Sequence, residues 1–395
     1  MKIYKPAVVF LFLLLIVNAS LAVVINGGRG LPHTRAAWVQ QKGYLTTLGH
    51  TRFWGKVHQY QADGIEKAST VWVVQGLVNV VYGLGDHFDL SVAPIIYQDV
   101  HQGNTEMYPG DTFVELKIGS FGPKANSISW GITLNSRFPT GDRYNVIYEP
   151  YSAGKVEFGF KGLVSYATDP LYPEEALNVH ANLGYLNHND VGQILVPNLD
   201  EGYPENTVLK TSQEMLYSVG LMFPTKDFNY SAEIYGNFWL QKPPGGAASR
   251  EPYAYINASV TYNPYRWFSF IVGGDYRLTA DKDETLIPWR MATNDLPNYC
   301  TWRVNIGAKF TLLPTSIYHS SERDVLMQKA ESRRELFEQI IRERRETESA
   351  EEELERIRDE RRKAERELER LRKILEGQEG QNELQEMKKS LGPEE

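Results

Sequence analysis

The side chains that most often carry out chemistry are scattered along this chain rather than grouped. The sequence contains neither a Gly-x-Ser-x-Gly turn nor a phosphate-binding glycine loop, and Gly27-Gly28-Arg29-Gly30 has no helix after it. No two histidines stand at the spacing that would place metal ligands on one helix face; the histidines are His33, His50, His58, His87, His101, His180, His188 and His319. We therefore predict that the protein is not an enzyme and holds no metal or other cofactor.

Polar and charged side chains follow a regular pattern instead, because they alternate with apolar ones. In residues 127–137, one face carries Ile128, Trp130, Ile132 and Leu134, and the other carries Ser129, Thr133, Asn135 and Arg137. A period of two residues is typical of a β-strand with one apolar and one polar face. About twelve such segments occur, with starts near Tyr44, Thr70, Phe88, Thr112, Ser127, Lys155, Ala176, Thr211, Phe228, Ala254, Trp267 and Thr301.

The connections between these segments indicate how the strands are arranged. Short connections at residues 85–87, 122–126, 169–174, 224–227 and 263–266 alternate with longer polar ones at 57–68, 99–110, 138–153, 187–210, 241–252 and 279–300. An outer-membrane barrel has tight turns at its periplasmic rim and long loops at its outer rim. The sequence therefore predicts an all-β transmembrane antiparallel barrel of about 12 strands over residues 43–313, with both ends at the periplasmic rim.

In such a barrel the apolar strand faces turn outward to lipid and the polar faces line the lumen. The candidates for the lipid face are Trp130, Phe158, Val179, Val219, Val272 and Ile306. The candidates that line the lumen are Arg52, Lys56, Glu115, Lys117, Arg137, Lys155, Glu157, Lys161, Glu214, Glu233, Asp275, Arg277, Arg303 and Lys309. A dry core full of ions would be unfavourable, so we expect either a water-filled pore or ion pairs across the lumen.

The N-terminus has the features of a secretory signal. Lys2 and Lys5 precede an apolar run at residues 7–17, and Ser20-Leu21-Ala22 supplies small residues for a peptidase. We predict a signal peptide over residues 1–22, with an uncleaved anchor as the alternative. Residues 23–42 are then expected to form an N-terminal lead-in in the periplasm, flexible at Gly27–Gly30. A barrel of about twelve strands has a narrow bore unless the loops and residues 23–41 stay clear of it.

The composition changes abruptly after the last predicted strand. Residues 314–321 are a predicted linker, residues 322–376 a coiled coil, and residues 377–395 a flexible C-terminal tail. The heptad seam of the coiled coil would contain Leu354, Ile357, Arg361, Ala364, Leu368, Leu371 and Leu375. A single solvated helix or a disordered charged tail is the alternative interpretation.

The overall composition limits the kinds of function that the protein could have. The net charge of −8 argues against nucleic acid as a partner, since such a partner favours a basic surface. Aromatic residues make up 12% of the chain, which suits the aromatic belts of a membrane barrel. The single cysteine, Cys300, can form no disulfide within the chain.

A short motif follows the fifth predicted strand. Phe138-Pro139-Thr140-Gly141-Asp142 resembles a signature of outer-membrane barrels grouped as the "MetA-pathway of phenol degradation" family. The resemblance covers about residues 40–313 and none of the tail, and it implies an outer-membrane transporter barrel. Pro-Thr-Gly-Asp is also a favourable turn on physical grounds alone.

Three functions are weighed from these features. The first is a channel for passive passage of small solutes across the bacterial outer membrane. Its periplasmic coiled coil would serve a homo-oligomer or bind a periplasmic partner. The second is a structural anchor in outer-membrane lipid that links the membrane to the cell wall or to a periplasmic partner. The third is an outer-membrane phospholipase, but Asn178, His180 and Asn182 fall on the predicted lumen face with no serine expected beside them.

Overall fold

Antiparallel strands make up most of the chain between residues 45 and 313. The structure, a computed structural model, describes residues 24–25, 27–62, 65–102, 107–122, 127–196, 205–286, 297–318 and 322–390. The long strands in these ranges are β1 Leu45–Ala62, β2 Ile65–Gly83, β3 Phe88–Gln102, β4 Thr112–Phe121, β5 Ile128–Phe138, β6 Glu157–Ala167, β7 Asn178–Asn187, β8 Gln213–Pro224, β9 Phe228–Gln241, β10 Ala254–Tyr265, β11 Phe268–Arg277 and β12 Trp302–Leu313. A two-residue strand, Met107–Tyr108, pairs with the end of β3.

The sheet closes on itself. Each long strand pairs with the next, and β1 pairs with β12 from Leu45↔Leu313 to Phe53↔Val304. A closed sheet leaves no open edge between its first and last strands, which is the condition for a β-structure to cross a bilayer. The predicted antiparallel barrel of about twelve strands is confirmed.

Side chains alternate between the outer surface and the interior along the strands. The six residues predicted to face lipid all lie on the outside, from Val179 at 36% exposed to Trp130 and Val219 at 54%. Their neighbours in the sequence point inward, as the buried side chains of His180 and Ser218 do. An apolar outer surface on a closed barrel fits a membrane span.

The first hairpin differs from its prediction. Residues 57–68 are predicted to be a loop, but β1 and β2 stay paired as far as Ala62↔Ile65. The pairing of β1 with β12 stops at Phe53 and that of β2 with β3 at Val71, so the hairpin extends past its neighbours. Both faces of this hairpin are largely exposed, as at Val57 and Ile65. Backbone pairing continues there without the alternation of apolar and polar residues from which strands are recognised.

The two ends of the barrel differ, and we name them by their connections. The turn end carries the short connections at residues 84–87, 122–127, 168–177, 225–227 and 266–267, together with the start of β1 and the end of β12. The loop end carries the first hairpin and the connections at 103–111, 139–156, 188–212, 242–253 and 278–301.

The chain after the barrel forms a separate unit. Helix α1 spans Glu322–Ser390, 69 residues, and a short 3₁₀ helix at Thr315–Tyr318 precedes it. The helix continues through Gly377 and Gly380 into the predicted flexible tail. A glycine costs only about 1 kcal/mol in a helix interior, and strong helix formers flank both. In the described part of the chain, no helix is long and apolar enough to cross a membrane.

The predicted seam lies along α1 without a partner in this single chain. Leu354, Ile357 and Leu368 are each more than half exposed, and Arg361 and Ala364 are exposed as well. The side chains of Leu371 and Leu375 lie outside the described part of the structure. The helix itself is therefore present, and its pairing into a coiled coil stays a prediction.

Candidate functional site

The charged residues predicted to line the lumen fall into three groups. Nine are buried inside the barrel: Glu115, Lys117, Glu157, Glu214, Glu233, Asp275, Arg277, Arg303 and Lys309. Arg52, Arg137 and Lys161 are partly buried. Lys56 and Lys155 are exposed, because Lys56 lies on the projecting first hairpin and Lys155 precedes the first residue of β6.

The lumen at the turn end contains the chain's own N-terminal segment. We call residues 24–25 and 27–41 the plug. They form no strand of the barrel, and Val24, Leu31, Ala36 and Ala37 in them are almost completely buried. The sequence predicts a periplasmic lead-in for this segment, whereas the structure places it in the lumen of the barrel. The predicted signal peptide, residues 1–22, lies outside the described residues.

Wall side chains bind the plug through its backbone. Glu233 Oε2 accepts the N–H groups of His33 at 3.0 Å and Thr34 at 2.6 Å. Asn182 accepts the Arg35 N–H at 2.7 Å and donates to the Arg35 carbonyl at 2.9 Å. These side chains give the plug backbone the hydrogen bonds that a neighbouring strand would otherwise supply.

Ion pairs add to this attachment. Arg35 pairs with Glu115 on β4, and Arg29 pairs with Glu174 in the turn after β6. His33 Nε2 lies 3.1 Å from Asp275 Oδ1. The plug thus presents basic side chains to acidic ones on the barrel.

A second group of contacts holds the C-terminal half of the plug. The Ala37 N–H donates to Ser165 Oγ at 2.7 Å, and the Gln40 N–H donates to Asp89 Oδ2 at 2.8 Å. A Cβ atom at Gly119 would lie 2.2 Å from the Ala37 carbonyl oxygen. The plug therefore approaches β4 so closely that only glycine leaves room for it.

The buried histidine of β7, His180, has a partner that the sequence does not predict. Ser165 Oγ lies 2.8 Å from His180 Nδ1, so a serine does stand beside His180. The pair is buried in the lumen rather than facing lipid, Ser165 also accepts the Ala37 N–H, and Trp38 packs against the imidazole. These contacts indicate that Ser165 and His180 hold the plug in place. A lipase centre would instead have to face its lipid substrate.

The loop end of the barrel is covered by its own connections. One apolar cluster joins the barrel wall to three loops and contains Trp54, Val71, Val73, Val100, Ile147, Tyr148, Ala248 and Cys300. A second contains Tyr151, Ala153, Leu195, Val208 and Ala247. The loops therefore fold inward over the lumen instead of extending away from it.

The Phe138–Asp142 motif helps to form this cover. The Gly141 N–H donates to Asp111 Oδ1 at 3.2 Å, and the Thr140 hydroxyl lies 2.9 Å from that of Thr112. Arg137 Nε donates to Asp111 Oδ2 at 2.7 Å. These contacts connect the loop end of β5 to the start of β4, at the point where the chain turns toward the lumen.

Two ionisable groups in the loops, His188 and Glu251, have a shifted pKa because of burial and neighbouring groups. Burial by itself lowers the pKa of His188, but the carboxylates of Glu157 and Glu214 on either side of its ring outweigh burial and raise the pKa above its ordinary value. Burial raises the pKa of Glu251 to about 7, although its carboxylate accepts the Glu284 N–H. A charged His188 is favoured between two carboxylates, and a neutral Glu251 is favoured where it is buried.

A chamber of about 210 Å³ lies between the plug and the folded loops. The plug contributes Ile25, His33 and Arg35 to its wall, and the loops contribute residues such as Tyr148 and Glu149. Tyrosine rings form much of the remaining surface. The chamber is large enough to hold a small solute.

A closed antiparallel barrel with an apolar exterior and a polar interior defines the class: this is a β-barrel protein of the outer-membrane type. No family model matches the chain, and a search of curated proteins finds no match. Membership of the "MetA-pathway of phenol degradation" family therefore stays a prediction.

Among solved structures, the chain is distantly similar to several outer-membrane barrels. The NanC porin matches at 10% identity over 67% of this chain and 100% of its own, with a TM-score of 0.43. An outer membrane channel from Pseudomonas putida F1 matches at 9% identity over 70% and 98%, with a TM-score of 0.42. The translocator domain of autotransporter NalP from Neisseria meningitidis matches at 9% identity over 69% and 89%, with a TM-score of 0.37.

Proposed function

We propose that the protein is an outer-membrane channel for the passive passage of small solutes, and that its plug closes the lumen at rest. The single observation that carries this proposal is that the plug occupies the lumen at the turn end without contributing a strand to the wall. The ladder from β1 to β12 is complete without it. Displacing the plug would break mainly contacts with wall side chains, together with the backbone hydrogen bond from the Ser120 N–H to the Ala37 carbonyl at 2.8 Å, and would leave the strand ladder intact.

The contacts of the plug are suited to reversible attachment. Hydrogen bonds between wall side chains and the plug backbone can be exchanged for bonds to water when the plug leaves. The ion pairs Arg35–Glu115 and Arg29–Glu174 join plug to barrel, so their groups would become hydrated on opening. An open lumen would be lined by polar and charged side chains, as in a water-filled pore.

Deletion of residues 24–41 tests the proposal. We expect the full chain in planar lipid bilayers to show little conductance or brief openings, and the deletion variant to conduct steadily. A variant that lacks residues 320–395 serves as the matched control, since it shortens the chain without touching the lumen. Absence of conductance from a correctly folded deletion variant would contradict a channel function.

A structural anchor is the second candidate, and the occupied lumen together with the 69-residue helix α1 favours it. Because α1 follows the end of β12 at the turn end, we propose that it lies in the periplasm. There its seam would join copies of the chain or bind a periplasmic partner. A barrel that stays closed after deletion of the plug, in cells whose envelope weakens when α1 is removed, would favour the anchor.

A further inference from the structure

The charges on the chamber wall are mostly neutralised within the protein. Four of the arginines that line the chamber form ion pairs: Arg35–Glu115, Arg52–Glu149 at 2.9 Å, Arg137–Asp111 at 2.7 Å and Arg303–Asp275 at 3.1 Å. Each of these pairs leaves little net charge on its part of the wall.

Lys161 on β6 differs from these arginines. Its side chain lines the chamber, and it makes no hydrogen bond or ion pair with any residue that the structure describes. Arg35 is near enough to repel its charge. The carboxylates of Glu115 and Glu214 are near enough to attract it. Each of them has a closer partner, however: Arg35 for Glu115 and the Asn237 amide for Glu214.

An ammonium group that is removed from bulk water without a partner is unfavourable, and an anion that pairs with it relieves the cost. Lys161 brings one such positive charge to the chamber. Arg35, Arg52, Arg137 and Arg303 are already paired. The carboxylates of Glu157 and Glu214, which also line the chamber, lie on either side of His188. Lys161 is therefore left to pair with a solute that carries a single negative charge.

The size and the remaining surface of the chamber restrict that solute further. A volume of about 210 Å³ holds roughly seven waters at their liquid density. Tyr217, Tyr235 and Tyr253 present ring surface to it. The Tyr235 hydroxyl accepts a hydrogen bond from Arg303 at 2.6 Å, and its ring stacks on His33 at 3.9 Å between centroids. A solute of this size would place its apolar part against these rings.

We propose that the chamber is a binding site for small monocarboxylates and that Lys161 pairs with the carboxylate group. This inference rests on the proposed function, because a channel for small solutes must bring them into the lumen. Lys161 Nζ would donate to the carboxylate oxygens, and the hydrocarbon part would contact the tyrosines.

The test uses calorimetric titration of the full chain in detergent, with butyrate as the probe and butyramide as its uncharged counterpart. We expect butyrate to bind and butyramide to bind at least about ten-fold more weakly, since a hydrogen bond to a charged group is worth that much. Lys161→Gln should weaken butyrate binding by a similar factor. Lys161→Arg keeps the charge and should retain most of the binding.

Lys309→Gln is the matched control, because Lys309 is a buried lysine that does not line the chamber. Anomalous migration of unheated samples in gels verifies that each variant has folded. Equal binding of butyrate and butyramide, unchanged binding in Lys161→Gln, or no butyrate binding by the folded full chain would overturn the proposal. The conductance of the deletion variant is measured separately, so a working channel without a carboxylate site remains distinguishable from a barrel that is not a channel.

Discussion

The side-chain amide of Asn182 forms two hydrogen bonds with the backbone of Arg35: Oδ1 accepts the Arg35 N–H at 2.7 Å, and Nδ2 donates to the Arg35 carbonyl at 2.9 Å. This arrangement reproduces the pair of bonds between two residues of adjacent antiparallel strands. A residue of the barrel wall therefore holds the plug at one defined position along its length. Asn182 on β7 thus helps to hold the plug in the lumen.

Replacing Asn182 by Leu should open the channel more often. The change removes two hydrogen bonds to the plug, each worth about 0.5–1.5 kcal/mol net, so the open fraction should rise by roughly five- to hundred-fold. Single-channel recording measures this fraction directly. Asn187→Leu at the loop end of the same strand is the control, since Asn187 bonds to Tyr185 and not to the plug. Equal open fractions in the two variants would show that the Asn182–Arg35 contact does not hold the channel closed.

A charge on the outer surface of the barrel should be far more costly than one facing the chamber. Val272 is 42% exposed on the lipid side of β11, and Val272→Arg should lower the free energy of unfolding by about 2–4 kcal/mol if it lies near mid-membrane. Asn135→Arg places the same side chain beside the polar chamber and should cost much less. Urea titration of both variants in lipid vesicles gives the two values. Similar losses at both positions would contradict the assignment of inner and outer faces.

The packing of the loops over the lumen should depend on pH through Glu251. Its pKa of about 7 in the folded protein lies above the ordinary value of 4.5, so the folded state binds more protons than the unfolded state between these two values. The contribution of Glu251 to loop stability is therefore fully present below pH 4.5 and is lost as the pH rises to about 7.

Hydrogen exchange of the loop amides checks this dependence. After correction for the intrinsic exchange rate, the Glu284 N–H, which Glu251 accepts, should be better protected at pH 5 than at pH 8. Glu251→Gln should retain protection at both values, because glutamine stays neutral. A pH dependence that survives in Glu251→Gln would assign the effect to another group.

The exposed seam of α1 should cause the chain to self-associate. Leu354, Ile357 and Leu368 are spaced for a heptad seam and lie more than half exposed in the single chain. Leu368→Glu would place a charge in that seam and should shift the full chain toward monomers in detergent, as sedimentation would show. Arg366→Glu, which lies on the exposed face of the helix opposite the seam, is the control for the added negative charge. A full chain that is monomeric before any substitution would instead support a lone solvated helix or a different partner.

The barrel could be predicted from the sequence because one face of every strand must meet lipid. The predicted starts at Phe88, Thr112, Phe228 and Ala254 coincide with the first residues of β3, β4, β9 and β10. The extension of β1 and β2 was missed because a hairpin that is exposed on both faces has no apolar alternation. Pairing between two strands depends on backbone bonds, which the sequence does not display.

The attachment of the plug to the barrel wall could not be predicted for a related reason. Its glycines and its lack of periodicity are typical of a flexible segment, and its contacts are long-range ones such as Arg35–Glu115. Leu31, Trp38 and Val39 were the available signal, since such apolar side chains are unexpected in a solvated lead-in. Likewise, nothing in the sequence indicates that Lys161 lines a chamber and forms no ion pair with the described residues.

The most direct test of the central claim is to return the plug to a barrel that lacks it. A synthetic peptide with the sequence of residues 24–41 is added to the side of the bilayer that carries the turn end of the deletion variant. We predict that it blocks the conductance in a concentration-dependent manner, and that a peptide with Arg35→Glu blocks far less because it meets Glu115 with a like charge. Steady conductance that neither peptide changes would contradict closure of this channel by its own N-terminal segment.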